Sequence, residues 1–371
     1  MQRTDFDRLL YVLAELDGSD LHVKAGAPPR MRVNGSLRTL QNEAPLSAED
    51  TRALVEAIVP PELRNSFDST HEVDFAYSVA GLGRFRVNAF VQRGSVALAM
   101  RRVRTNSSTI EALGLPDVVR NLSEEHRGLV LVTGPTGSGK TTTLAAMIDH
   151  INHTRSCHVI TVEDPIEYLH QDDLAAIDQR EVGFDTASFT TAMRVILRQD
   201  PDVILVGEMR DPETVYTALT AAETGHLVFS TLHTTTATET VNRIVDFFPP
   251  HQHGQIRVSL AAALKGTVCQ RLIPRADGEG RVPAVEVMVV NGRVQQAIVN
   301  PLQTSEIDQI MTDGDFYGMQ TFDQSLAGLV TNGTVSLRDA MQAASNPHDL
   351  KLMLERSGVV RTGRGTFVAA P

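Results

Sequence analysis

Nine consecutive residues, Gly134, Pro135, Thr136, Gly137, Ser138, Gly139, Lys140, Thr141 and Thr142, carry the clearest chemistry in the chain. They follow the apolar run 128–133 and open a stretch of helical character, and they fit the pattern G-x-x-x-x-G-K-[ST]. The glycines let backbone N–H groups turn inward around a phosphate, and the helix N-terminus adds a favourable field for negative charge. Lys140 is spaced to reach the β- and γ-phosphates, and the Thr141 hydroxyl to ligate Mg²⁺. The chemistry is the holding of a nucleoside triphosphate, so ATP and Mg²⁺ are the expected cofactors.

Holding a triphosphate is not cleaving it. Phosphoryl transfer to water needs a carboxylate to hold the metal and a group to orient the attacking water. Two apolar strands end in suitable acids: 160–167 supplies Glu163, Asp164 and Glu167, and 203–208 supplies Glu208. Open α/β sheets place their ligands at such strand ends. Glu163 and Glu208 are the expected metal-side carboxylates, and the general base is one of Glu163, Glu167 and Glu208. A fourth apolar run, 225–235, has His226 and His233 at its two ends. Thr231, His233 and Thr234 are placed to sense the γ-phosphate, and of the two histidines His233 is the catalytic candidate.

These residues need a frame. From about residue 110, apolar runs at 129–132, 159–162, 203–206 and 227–230 alternate with helical segments such as 189–198 and 212–223, which predicts a mostly parallel α/β sheet. A further strand is expected at 285–290, with helices beyond. The first hundred residues read differently, as a small α+β domain: a helix over 6–13, a hairpin turning at Asn34-Gly35, a helix capped by Ser47 and stopped by Pro60-Pro61, and strands at 74–77 and 83–91. The expected organisation is an N-terminal domain over 1–103, a linker at 104–109, the ATPase core at 110–290, a helical region at 291–357 and a flexible tail at 358–371.

Composition narrows the class. The 371 residues carry 34 Lys and Arg against 45 Asp and Glu, a net charge of −11, which argues against nucleic acid as partner. Only 84–104 is dense enough in basic residues to form a local strip. Two cysteines supply neither a disulfide framework nor a four-cysteine zinc site, as in a reducing compartment. The first residues lack the basic head and apolar run of a signal peptide, and no apolar stretch reaches the ~20 residues that span a bilayer. The expectation is a cytoplasmic protein that meets a membrane through a partner.

In this order and spacing the motifs resemble the secretion-type ATPases, and within them the PilT-like motors of type IV pili. The resemblance rests on Ser19-Asp20-Leu21-His22, Arg32-Val33-Asn34-Gly35, Gly83-Arg84-Phe85-Arg86, the phosphate loop, the acidic segment 161–167, the segment 200–211, the histidine segment 225–235, and Gly318-Met319-Gln320-Thr321-Phe322-Asp323-Gln324. It implies a PAS-like N-terminal domain joined to a RecA-like P-loop ATPase, assembled as a homo-hexamer that drives pilus retraction through a membrane platform protein, and it leaves open whether the motor works alone or with a paralogous ATPase. It also implies that arginines of the N-terminal domain complete the nucleotide site. Arg84 and Arg86 match that segment, and an alternating strand puts both on one face. Extension-type relatives carry a longer N-terminal region and a tetracysteine zinc site, and both are missing here. The chain departs from the pattern once: where typical members read Ala-Ile-Arg-Asn-Leu-Ile-Arg-Glu, it has Ala297-Ile298-Val299-Asn300-Pro301-Leu302-Gln303-Thr304, without charge. That leaves the ATPase chemistry untouched and bears on retraction. The competing readings are an accessory ATPase without retraction activity of its own and a RecA-like nucleic-acid translocase.

Overall fold

The computed structural model describes residues 3–41, 43–105 and 107–359, and the chain forms two compact units. The first is Met1–Asn106 with Glu167–Leu169; the second is Ser107–Ile166 with His170–Pro371.

The first unit runs α1 (Arg3–Glu15), β1 (Asp20–Lys24), β2 (Arg30–Val33), β3 (Ser36–Thr39), α2 (Ala48–Ile58), α3 (Pro61–Thr70), β4 (Glu72–Val79), β5 (Gly83–Gln92) and β6 (Ser95–Arg102). Its strands pair antiparallel in the order β3-β2-β1-β6-β5-β4. Asn34 and Gly35 both have positive φ, 49° and 75°, as a two-residue turn between twisted strands requires. Ser47 forms a capping box with Asp50 at the start of α2. The Pro60-Pro61 pair both stops α2 and starts α3, because a proline at the first helical position loses no hydrogen bond. The helix after it, and strand β6, are additions to the sequence reading. Phe6, Leu9, Leu10 and Leu13, at helical spacing, bury against Phe85, Val87 and Ala89 of β5 in one core, so Arg84 and Arg86 occupy the other face of that strand. Ser19, Asp20 and Arg32 also meet: the Asp20 carboxylate accepts from the Ser19 hydroxyl at 2.7 Å and from Arg101 Nε at 2.8 Å, with Arg32 Nε at 3.6 Å. Burial works against ionisation of Asp20, but the hydrogen bonds from Ser19 and Arg101 outweigh it and hold the carboxyl below its usual range.

The second unit runs α4 (Asp117–Ser123), β7 (Gly128–Thr133), α5 (Lys140–Thr154), β8 (His158–Glu163), β9 (Ala176–Glu181), α6 (Phe189–Ile196), β10 (Val203–Val206), α7 (Pro212–Glu223) and β11 (Leu227–Leu232). It continues with α8 (Ala237–Asp246), α9 (His253–Ala263), β12 (Leu264–Pro274), β13 (Arg281–Val289), α10 (Gly292–Val299), α11 (Ile307–Thr312), α12 (Phe322–Thr331), α13 (Leu337–Ala343) and α14 (Pro347–Arg356). The seven-stranded sheet has the order β13-β12-β7-β11-β10-β8-β9, parallel except for the last hairpin, where β13 runs antiparallel to β12. Successive residues of a central strand serve opposite faces. Leu129 and Leu131 of β7 join the core under α6 to α9 and the C-terminal helices, while Val130 and Val132 join the core under α4 and α5. Both faces are thus covered, which is why these strands read as unbroken apolar runs.

Strands β9 and β12 were not legible as such. β9, Ala-Ile-Asp-Gln-Arg-Glu, is an edge strand with polar residues at most positions. β12 begins at the residue after α9 ends, with no turn residue to separate them, and carries Lys265, Gln270 and Arg271 among its apolar residues. Of the tail expected at 358–371, the amides of Gly358 and Val359 donate to Glu355 and Leu354 at the end of α14; residues 360–371 lie outside the described residues.

Candidate active site

Register alone brings the site together. Val162, Val206, Ser230 and Leu131 are cross-strand neighbours on the four adjacent parallel strands β8, β10, β11 and β7. The residues that follow, Glu163, Gly207-Glu208, Thr231 to His233, and Gly134, therefore leave the sheet at one edge, its carboxyl edge.

At β7 the chain turns through 134–139 into α5. Lys140 folds back so that its Nζ donates to the carbonyls of Gly134 at 2.8 Å and Pro135 at 3.1 Å. The loop is braced from behind by Gln270 of β12, a side chain only 2% exposed. Its Nε2 donates to the Ser138 carbonyl at 2.8 Å and its Oε1 accepts from the Thr143 hydroxyl at 2.8 Å. The approach is so close that a Cβ on Gly139 (φ 92°) would lie 2.7 Å from Gln270 Nε2, and one on Gly134 (φ 142°) 2.4 Å from the Gln270 carbonyl oxygen. Both glycines are needed for conformation and for room. Pro135, Thr136 and Gly137 form the exposed lip of the loop, and Thr141 and Thr142 are half-buried on the first turn of α5. The buried Ser138 hydroxyl makes no hydrogen bond among the described residues. Beside Gly139 and Thr142 opens a cavity of about 270 Å³, with Leu113, Leu272, Arg275 and Arg281 in its wall.

The carboxylates are held apart from the loop by their own strands. Glu163, 9% exposed, accepts from the Thr161 hydroxyl at 2.7 Å and from Gln179 Nε2 on β9 at 3.2 Å. Glu208 forms a close ion pair with Arg210, and His233 Nε2 stands 3.7 Å from its other oxygen. The three residues read as γ-phosphate sensors separate here. The hydroxyl of Thr231 donates to the Gly207 carbonyl at 2.7 Å and that of Thr234 pairs with Thr240 at 2.7 Å, whereas His233 is exposed.

Lys140, Thr141, Glu163, Glu208 and His233 thus share one edge of one unit. Asp164 is exposed beside Glu163. His226 lies at the opposite end of β11, its Nδ1 3.0 Å from the Ala221 carbonyl, and serves the turn after α7. Glu167 belongs, with Arg84 and Arg86, to the first unit. Sequence reasoning missed Gln270, Gln179 and Arg210. The first two stand on the two strands that were not read, so nothing marked them; Arg210, two residues after Glu208, was within reach.

The residues fit a magnesium nucleotide. The loop offers backbone donors, a lysine now satisfied by carbonyl oxygens, and an unused hydroxyl. Thr141, Glu163 and Glu208 offer hard oxygen donors. No group of three or more His, Cys, Asp or Glu side chains suited to a metal occurs among the described residues. Mg²⁺ held by one or two protein oxygens together with phosphate oxygens needs no such cage.

Comparison with known proteins gives the same direction. The profile described as "Type II/IV secretion system protein" matches residues 80–346. The "Type IV pilus retractation ATPase PilT" of Pseudomonas aeruginosa is 45% identical over 345 residues, covering 93% of this chain and 99% of that protein. The "Type IV pilus ATPase PilU" of the same organism is 43% identical over 351 residues, covering 95% and 91%. A crystal structure of the pilus retraction motor PilT with bound ADP superposes with a TM-score of 0.84 at 46% identity, covering 93% of this chain and 98% of that one. The chain belongs to the type II/IV secretion system protein family.

Proposed function

We propose that the chain is an ATP-hydrolysing motor that drives retraction of a type IV pilus. The observation that carries this reading is the single edge at which the phosphate loop, Glu163, Glu208 and His233 emerge from four strands in register. Relatives named as retraction and pilus ATPases match nearly end to end. In the proposed mechanism the loop amides and Lys140 bind the β- and γ-phosphates, and the nucleoside enters the cavity beside Gly139 and Thr142. Thr141 with Glu208 or Glu163 holds Mg²⁺, which when bound neutralises charge on the phosphate oxygens. The other carboxylate holds and orients the attacking water, and His233, beside Glu208, contacts the γ-phosphate side. Arg84 and Arg86 keep the part that the resemblance gives them, as guanidinium groups that stabilise the transferring phosphoryl group.

The proposal extends to a homo-hexamer that works in the cytoplasm, bound to the membrane through a platform protein. Among the described residues no helix is long and apolar enough to cross a membrane. One observation favours a second reading, an ATPase that serves a filament beside a paralogue: residues 297–304 lack the charges of typical retraction motors. The test is ATPase activity of the purified protein alongside recovery of twitching in a strain whose own retraction ATPase is deleted. Recovery that depends on Lys140 supports the first reading. Activity without recovery supports the second, and hydrolysis that requires DNA overturns both.

A further inference from the structure

Of the buried acids that the mechanism leaves unused, Glu286 is the least exposed. Glu286 lies in the middle of β13, opposite Cys269 of β12, and is 5% exposed. Its Oε1 accepts from the Ala237 amide at 2.8 Å. The backbone of Phe322 faces the same carboxylate and favours its ionised form. Ala237 and Phe322 are the first residues of α8 and α12, so one carboxylate sits against the N-termini of two helices.

Each helix begins where something else is anchored. α8 starts four residues after His233, and its first turn is bound to that loop. The hydroxyl of Thr234 pairs with Thr240, and the amide and hydroxyl of Thr235 donate to Glu239 at 2.7 and 2.9 Å. α12 opens the last three helices of the C-terminal helical region. Gln320 exchanges backbone hydrogen bonds with Val287 of β13, Phe322 lies under the Arg271 guanidinium at 4.2 Å, and Asp323 accepts from the amides of Ser345 and Asn346. The Gly318–Gln324 motif, which the hydrolysis mechanism does not absorb, is therefore the fastening of that region to the sheet.

We propose that Glu286 is a positioning residue for hydrolysis, a pin that holds the His233 loop and the C-terminal helical region in one register through the first turns of α8 and α12. A displacement of His233 at the nucleotide thereby passes to α12, and one of α12 returns to His233. The pin also answers to pH. Burial pushes the Glu286 carboxyl up to about 7, with Asp308 of α11 adding to the rise, while the Ala237 amide, Arg271 and the Phe322 backbone oppose it. Cys269 faces it as a buried thiol that stays protonated, its own titration pushed up by burial. Because the folded carboxyl titrates above its ordinary value of 4.5, stability from its protonated form is complete below that value and is lost as pH rises through about 7.

The inference rests on the ATPase reading for its kinetic arm only. The full chain is compared with Glu286→Gln, which keeps volume and acceptor but cannot ionise, and with Asp308→Asn at an exposed position. The expected result is a kcat inflection near pH 7 in the native protein, with a change of about threefold across it, absent in Glu286→Gln at unchanged KM for ATP. In Asp308→Asn the inflection moves to lower pH. Hydrogen exchange supplies an arm free of hydrolysis: at pH 7, Glu286→Gln alters protection of peptides 233–240 and 319–326 together. An inflection unchanged in both variants, or exchange altered in one segment alone, overturns the proposal. A native protein that hydrolyses nothing refutes the ATPase reading, and the exchange arm then decides the pin. Should Glu286→Gln fail to fold, the Asp308→Asn shift decides it.

Discussion

The carboxyl edge of the large sheet and the turn at 299–304 lie in the same unit and are built on opposite principles. At the sheet edge each functional side chain leaves a strand whose register its neighbours fix, and each has a partner: Gln270 behind the loop, Gln179 beside Glu163, Arg210 on Glu208. In the turn, α10 stops at Val299 and Pro301 follows the Asn300 cap, as a ring that cannot continue the helix. The side chains of 299–302 face outward, with Leu302 88% and Val299 44% exposed. The turn is held from beneath, by Arg257 of α9, which donates to the Ile298 carbonyl at 2.9 Å and to the Thr304 hydroxyl at 3.1 Å. Chemistry demands preorganised polar groups, whereas a surface that meets a partner only has to present the right face. The edge gathers buried, partnered polar groups and the turn presents an exposed, uncharged surface, so substitutions in the two should separate.

The largest effect belongs to Lys140→Ala. The loop loses its only side-chain cation, and the transition state should lose on the order of 3 kcal/mol, more than a hundredfold in kcat. ATPase assay and nucleotide titration check this, and turnover at the native rate would sink the site. Next come Glu208→Gln and Glu163→Gln, which preserve shape and remove charge. Each should lower kcat at least about tenfold with ATP still bound. Glu208→Gln should also loosen Arg210 and His233, so its loss should exceed that of Glu163→Gln. The reverse order would shift the central role to Glu163.

A third prediction addresses the brace. Gln270→Ala takes this partner from the buried Ser138 and Thr143, and each buried group left unsatisfied costs about 1–3 kcal/mol. Unfolding should therefore come at lower denaturant concentration by that order, and KM for ATP should rise because the loop loses its backing. Loss of stability with KM unchanged would mean that the loop keeps its shape without the glutamine.

How much of this could be read beforehand follows from the same contrast. The phosphate loop, Glu163, Glu208 and His233 were legible because central parallel strands are apolar on both faces and end abruptly in polar residues. α7 was legible to the residue, with Asp211 capping it and Pro212 at its first position. Gln270 was not, because a brace has no local pattern: its meaning lies in a partner 132 residues away in sequence. Glu286 was hidden likewise, as one polar residue in a strand whose buried neighbours are apolar. β9 carries too few apolar residues to announce a strand, and its pairing with β8 is a tertiary decision. What the sequence conceals are contacts between distant segments, and both buried acid and buried amide are of that kind.

The smallest effect on hydrolysis, and the sharpest division between edge and turn, is expected at 299–303. Val299→Arg, Pro301→Leu and Gln303→Arg together restore the charged side chains of typical retraction motors at positions that are exposed or half-buried. Thr304 is left alone, because it is 4% exposed and its hydroxyl ties the Ala297 carbonyl to Arg257, so a carboxylate there would disturb the support beneath the turn. None of the three positions touches the loop, the carboxylates or Gln270, and solvated charges on such a surface alter stability little. Basal kcat and KM should stay within about twofold of native. Twitching recovered in a strain without its own retraction ATPase should rise if the native turn lacks the contacts of a retraction motor. An unchanged recovery would mean that the filament machinery engages other residues or a paralogous subunit. A fall in basal turnover would show that the turn is part of the engine, since nothing but its surface charge and one proline had been altered.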